Sequence, residues 1–276
     1  MISTVSTPPS SSTVQPSRIA EAFARAKDEG RTALMPFITV GFPDLATSEE
    51  IAVALVEAGA DAMEIGVPFS DPLADGTTVQ RSGQVALGQG TKLVDCLELV
   101  RRLRARGVTI PLVLMGYTNP FYQYGYDRLA ADAAVIGVDG FIVPDLPVEE
   151  SDGFLSACRE HGRDLIFLVA PTSTDERLRL IAERASGFVY CVSLTGVTGA
   201  RSDMAAGLPD YIARVRATTD LPLAVGFGIS TAAHVATVGQ YADGAIVASA
   251  MINAIEVLPP AEQPAAAGAF LRRLQE

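Results

Sequence analysis

Short apolar runs alternate with longer amphipathic segments along most of this chain. The runs are rich in Val, Ile, Leu and Phe and mostly end at Gly or Pro, as the strands of a sheet buried on both faces do. Eight of them are predicted strands: 34–40, 62–67, 111–115, 139–143, 165–169, 188–192, 223–225 and 245–247.

The segments between the runs carry apolar residues at helical spacing. Thr47 and Glu50 have the spacing of a capping box and predict the start of one helix. Pro209 is predicted to begin another, because proline fits the first helical turn. A further amphipathic helix at 17–29 precedes the first strand, whereas residues 1–16 are rich in Ser, Thr and Pro and are predicted to be a disordered tail.

This alternation predicts a parallel sheet, since each helix returns the chain to the same edge. Eight such units in about 250 residues match a single closed (β/α)8 TIM barrel, here with an extra N-terminal helix. The alternative is an open doubly wound sheet, but no Gly-rich dinucleotide motif follows the first strand. We therefore expect one catalytic barrel domain over residues 17–276.

Composition narrows the possible chemistry. The net charge of −11 disfavours nucleic-acid and membrane surfaces as partners, and no apolar run has the length of a membrane span. The N-terminal segment lacks a secretory or Arg-rich transit pattern, so a cytoplasmic location is expected. The two histidines, the scattered cysteines and the two lysines have no metal-ligand or Schiff-base placement, so no metal is expected.

The predicted strand 62–67 contains an acidic residue, Glu64, at a position where an apolar residue would be expected. Side chains alternate along 62–67, so Met63, Ile65 and Val67 share one face while Glu64 lies on the other. A carboxylate there is costly to bury without a partner. Either Glu64 pairs with a buried arginine, or it serves chemistry together with Asp75 in the loop at the strand's C-terminal end.

Three later loops should surround the same opening. In a TIM barrel the active site lies at the C-terminal ends of the strands, often with phosphate bound after strands seven and eight. Those loops are 226–230, with a Gly-x-Gly, and 248–250, where a serine opens a helix. The small-residue loop 193–200 after strand six is a candidate lid. The sequence therefore predicts a small phosphorylated substrate handled by carboxylates.

Several ordered segments resemble one family. The stretch MEIGVPFSDPLADG at 63–76 looks like the signature of the tryptophan synthase alpha subunit, and LMPFITVGFPD, LMGYTNPF, DGFIVPDLPVEE, SLTGVTGA and GFGIS resemble its other segments in order. The resemblance implies retro-aldol cleavage of indole-3-glycerol phosphate to indole and glyceraldehyde 3-phosphate. It covers nearly the whole chain after about residue 17.

The resemblance also assigns residue roles. Glu64 matches the family's acid/base that moves the indole C3 and hydroxyl protons, and Asp75 matches the carboxylate that assists the indole N–H. Other residues match substrate-binding positions: Phe37, Met115, Tyr117, Leu168 and Tyr190 around indole, Gly199, Phe227, Gly228 and Ser249 around phosphate, and Thr198 in the lid. Ala248 and Thr77 depart from a frequent Gly and a frequent Pro of the family.

The family pairs with a beta subunit that holds pyridoxal phosphate, so the resemblance implies an alpha2beta2 assembly with indole passed between subunits and no cofactor in this chain. The loop Pro68–Asp75 and the turn at Asn119 and Pro120 match partner-facing regions. Three alternatives stay open: a free-standing indole-3-glycerol-phosphate lyase, a phosphate-binding barrel isomerase, and a non-catalytic barrel that only activates the beta subunit.

Overall fold

Parallel strands close into a barrel in the computed structural model, which describes residues 17–192, 204–226 and 228–276. The eight strands of these ranges are β1 Ala33–Thr39, β2 Met63–Gly66, β3 Leu112–Met115, β4 Gly140–Ile142, β5 Asp164–Val169, β6 Val189–Val192, β7 Leu223–Gly226 and β8 Gly244–Val247. Each strand pairs with the next, and β8 returns to pair with β1. The predicted closed barrel is confirmed, and the open sheet was the wrong alternative.

Helices connect the strands and cover the barrel. Those of the described residues are α1 Arg18–Asp28, α2 Leu45–Glu57, α3 Thr77–Gly88, α4 Leu93–Ala105, α5 Thr118–Tyr124, α6 Tyr126–Ile136, α7 Asp152–Glu160, α8 Asp175–Arg184, α9 Met204–Arg216, α10 Ala232–Gly239, α11 Ser249–Ile255 and α12 Gln263–Arg273, with short 3-10 turns at Val148–Glu150 and Pro260–Glu262. None of these helices combines the length and apolar character that crossing a membrane requires.

Two predicted helix starts were wrong. Helix α2 begins at Leu45, and its cap is Asp44, whose carboxylate accepts the Thr47 amide at 2.8 Å. An aspartate satisfies the free amides of a first turn well, so the helix starts before the predicted Thr47 box. Pro209 lies inside α9 rather than at its start, because the helix extends five residues further toward the N-terminus.

The strands separate two apolar layers. Met63, Ile65 and Val67 face outward into the layer between strands and helices, whereas Ala62 faces the barrel interior, as the alternation predicted. Helix α1, the predicted extra helix, packs Ile19 into the same interior cluster. Since α1 occupies the end where the strands begin, a substrate site is left to the opposite end, at their C-termini.

Candidate active site

Glu64 is buried inside the barrel, and no described residue forms an ion pair with it. It stands in β2 between Phe37 of β1 and Val113 of β3, and 1% of its surface is exposed. In the described part of the chain, its Oε1 has no hydrogen-bond partner. The pairing with a buried arginine that would make Glu64 structural is therefore not found among the residues described.

Burial sets the protonation of this carboxyl. Desolvation, with a contribution from the negative charge of Asp75, raises the pKa of Glu64 from 4.5 to about 8. A carboxylic acid with that pKa holds its proton at neutral pH. Glu64 is therefore placed to act as a general acid.

Asp75 is held at the mouth by a loop that folds onto Tyr117. The Tyr117 hydroxyl accepts the Ala74 amide at 3.1 Å and hydrogen-bonds the Asp75 carboxylate, and its ring stacks on Phe69 with centroids 5.1 Å apart. Burial raises the pKa of Asp75 to about 6, while the Tyr117 hydrogen bond opposes the rise. At neutral pH, Asp75 is thus mainly ionised and Glu64 mainly neutral.

Three predicted indole-binding residues line one cavity with Asp75. Phe37, Met115 and Tyr117 form part of its wall, below the loop that follows β2. Gly66 makes room for the Phe37 ring, since a Cβ at Gly66 would lie 2.3 Å from that ring. These contacts bring β1, β2 and β3 together around a largely apolar space with a carboxylate at its edge.

The other two predicted indole-binding residues lie outside this wall. Tyr190 is buried in the barrel interior, where burial and the charges of Glu64 and Asp75 raise its pKa well above the usual value. It therefore lies close to both carboxyl groups. Leu168 is half-buried and lines a separate opening with Val169 and Arg177.

The predicted phosphate-binding positions are only partly described. Gly228 follows β7 with a φ of +79°, a conformation that favours glycine, and Ser249 is the first residue of α11 after β8. The Ser249 hydroxyl lies 4.0 Å from the Cβ position of Gly76, so it adjoins the loop that carries Asp75. Thr198, Gly199 and Phe227 lie outside the described residues.

Sequence reasoning missed the wall formed by β1 and α3. Thr39 lines the cavity, and its hydroxyl bonds Ser82 of α3 at 2.7 Å. Val79 and Gly83 of α3 line the same cavity. The alternation of side chains in β1 could have revealed Thr39, because it shares a face with Phe37; the spacing of four between Val79 and Gly83 could have revealed the helix face.

The two departures from the family pattern fit the backbone. Ala248 has a φ of −124°, outside the left-handed region, so alanine is not strained there. Thr77 is the first residue of α3, a position where proline is common but not required, because the first helical amides have no partner within the helix.

Residues 23–273 match the family model described as tryptophan synthase alpha chain. The tryptophan synthase alpha chain of Roseiflexus sp. (strain RS-1) is 59% identical over 259 residues, which are 94% of this chain and 99% of that protein. The alpha chain of Chloroflexus aurantiacus is 54% identical over 258 residues, with 94% and 97% covered.

Solved structures agree with these relatives. A crystal structure of tryptophan synthase subunit alpha from Legionella pneumophila str. Paris superposes with a TM-score of 0.84 at 38% identity, covering 94% of this chain and 97% of that one. A structure of Mycobacterium tuberculosis tryptophan synthase gives a TM-score of 0.85 at 40% identity, covering 95% and 100%.

Proposed function

The chain belongs to the tryptophan synthase alpha chain family and is an indole-3-glycerol phosphate lyase, and we propose that Glu64 and Asp75 carry out the cleavage within one barrel domain, residues 17–276. One observation supports this assignment above the others. Glu64 is buried with Oε1 unpartnered in the described chain, and it lies close enough to Asp75 for that charge to raise its pKa. Two acids with separated pKa values suit acid and base roles.

The reaction follows from these protonation states. Neutral Glu64 gives its proton to indole C3 while ionised Asp75 accepts a hydrogen bond from the indole N–H, and the ring becomes an indolenine. The Glu64 carboxylate then takes the proton of the hydroxyl next to the breaking bond. The carbon–carbon bond electrons move into the C=N group, releasing indole and glyceraldehyde 3-phosphate and leaving Glu64 protonated.

The cavity wall and the nearby loops are proposed to bind the two ends of the substrate. We place the indole ring against Phe37, Met115 and Tyr117, which line the cavity with Asp75. We place the phosphate at Gly228 and Ser249, since the Ser249 hydroxyl adjoins the loop carrying Asp75. Tyr190 and Leu168, with Thr198, Gly199 and Phe227, complete the proposed substrate-binding set.

The alpha chain carries no cofactor of its own, and pyridoxal phosphate sits in the beta chain. Several of the homologous structures are of tryptophan synthase complexes. We propose an alpha2beta2 assembly in which indole passes to the beta subunit. Two exposed apolar side chains support a contact surface beside the site: Leu73, 93% exposed, in the loop after β2, and Tyr122, 66% exposed, in α5.

Indole formation from indole-3-glycerol phosphate tests the residue roles. Glu64→Gln keeps the size of the side chain but removes its proton transfer, so we expect a loss of at least about 10²-fold in kcat with inorganic phosphate still bound. Unchanged turnover in this variant would remove Glu64 from the mechanism and favour another set of residues.

Adding a beta subunit to the same assay tests the partner. We expect the isolated chain to cleave slowly and to accelerate when the beta subunit is present. Equal turnover with and without the beta subunit would favour the free-standing lyase.

A further inference from the structure

Gly83 is an unexpected residue at its position. It lies in the middle of α3 and is buried. Glycine forms helices worse than any residue but proline, because it loses the most backbone freedom on folding. Its φ is not in the left-handed region, so the backbone does not require glycine there.

Packing does not require glycine either. Apart from the two chain neighbours and the backbone of the helix itself, no described atom lies within 4 Å of a Cβ built on Gly83, although the residue is buried. Gly66 shows the opposite case, since a Cβ there would lie 2.3 Å from the Phe37 ring. Alanine would thus fit at Gly83 without a clash, and the space beside it is not filled by other side chains of the described chain.

That space adjoins the substrate cavity. Gly83 lines the cavity together with Val79, one helical turn earlier, and with Phe37 and Asp75. Thr39 lines the same cavity, and its hydroxyl is already hydrogen-bonded to Ser82 at 2.7 Å. Most of the residues that line the cavity are apolar, so the unfilled space at Gly83 is a recess of a mainly apolar cavity.

We propose that Gly83 determines specificity by admitting a small apolar substituent, a methyl group or a chlorine atom, on the benzo ring of the indole. This inference rests on the proposed placement of the ring between Phe37 and Tyr117. The recess holds the substituent at one position of the ring, and replacing Gly83 by a residue with a side chain would fill the recess.

The reverse reaction provides the assay: condensation of indole, or of 4-, 5-, 6- or 7-methylindole, with glyceraldehyde 3-phosphate. We expect the unchanged chain to accept at least one methylindole with a kcat/KM within about 10-fold of that for indole. Gly83→Ala should lower the ratio of kcat/KM for that methylindole to kcat/KM for indole by at least about 10-fold.

Gly88→Ala is the matched control. Gly88 lies in the same helix, also has no atom near its Cβ position, but is exposed to solvent rather than facing the cavity. Neither alanine variant should lower Tm, because alanine favours the helix. Only Gly83→Ala should change the preference between indole and methylindole.

Three results would overturn the inference: rejection of all four methylindoles by the unchanged chain, an equal loss for indole and methylindole in Gly83→Ala, or the same preference change in Gly88→Ala. The Phe37→Ala variant distinguishes a wrong role for Gly83 from a wrong placement of the indole ring in the proposed function. If it leaves indole condensation unchanged, the ring placement is wrong, and the specificity role of Gly83 is wrong with it.

Discussion

The two ends of this barrel treat buried carboxylates in opposite ways. At the end where the strands begin, Asp139 precedes β4 and is 5% exposed. It accepts Arg104 at 2.6 Å, Arg18 at 3.0 Å and the Leu112 amide at 2.8 Å. Both carboxylate oxygens of Asp139 accept hydrogen bonds, two of them from arginines, so the charge is compensated.

The same arrangement recurs at other strand starts. Asp61, before β2, accepts hydrogen bonds from both terminal nitrogens of the Arg31 guanidinium at 2.6 and 2.7 Å and from the Leu34 amide at 2.8 Å. Asp243, before β8, accepts Arg216 and the Leu223 amide. The recurrent Asp before a strand therefore joins that strand to its neighbour at the closed end of the barrel.

Glu64 at the open end is as deeply buried, yet Oε1 has no partner in the described chain and burial raises its pKa to about 8. The lesson is that burial alone does not make a carboxylate catalytic. The paired aspartates hold the strands in register, whereas Glu64, with Oε1 unpartnered in the described chain, costs stability and retains a proton that can be transferred.

Asp139→Asn should give the largest effect on folding. It leaves Arg104 and Arg18 without a compensating charge, so we expect the free energy of unfolding to fall by about 3–5 kcal/mol. Urea denaturation measures the loss. Asp28→Asn, an exposed position in α1, is the control and should change stability by less than about 0.5 kcal/mol. A comparable, small change in both variants would contradict a structural role for the Asp139 cluster.

Glu64→Gln should stabilise the fold in a pH-dependent way. An acid whose folded pKa is raised becomes a growing penalty as pH rises from its ordinary value near 4.5 to its folded value near 8. At pH 7 we expect the variant to be more stable by about 3 kcal/mol, from roughly 1.4 kcal/mol for each pH unit above 4.5. Below pH 4 the advantage should vanish. Denaturation across pH 4–9 tests this, and a constant difference would count against the raised pKa.

The pH dependence of kcat/KM should be bell-shaped. Cleavage needs Asp75 ionised and Glu64 protonated, so activity should rise as pH passes about 6 and fall as it passes about 8. Steady-state assays of the isolated chain between pH 5 and 9 give the profile. The Asp75→Asn variant should lose the rise in kcat/KM near pH 6, the acid limb of the profile. If the acid limb persists in that variant, another group is responsible for it.

Tyr117→Phe should give the smallest change. The Tyr117 hydroxyl stabilises the Asp75 anion, so its loss should raise the pKa of Asp75 and move the acid limb upward by up to about one unit. The ring still stacks on Phe69, so the fold should persist. A limb that stays in place would mean that this hydrogen bond does not set the charge of Asp75.

Much of the fold was predictable because it depends on local pattern. Apolar runs, most of them stopped by Gly or Pro, located the eight strands to within about two residues, and their alternation with helices implied the parallel barrel. Helix starts were less predictable, since several residues compete to cap one turn. Asp44 lies three residues before Thr47, and its carboxylate accepts the hydrogen bond of the Thr47 amide. In the predicted capping box that amide would have bonded to Glu50 instead.

The site was predictable only in part. Glu64 stood out because its position in the strand is unfavourable, and Asp75 because it follows at the strand's C-terminal end. The sequence could not show whether Glu64 forms an ion pair, because such a pair joins residues that are far apart in the chain. The bond from Ala74 to Tyr117 and the recess at Gly83 depend on tertiary packing in the same way.

The protonation of Glu64 can be measured directly. The chain labelled with ¹³C at the glutamate side-chain carboxyls is titrated by NMR, and the Glu64 signal is assigned by its absence in Glu64→Gln. A midpoint near pH 8 is expected, with the proton retained at neutral pH. A midpoint near the ordinary value of 4.5 would show a carboxylate that is solvated or paired, and would contradict its role as the acid that protonates indole.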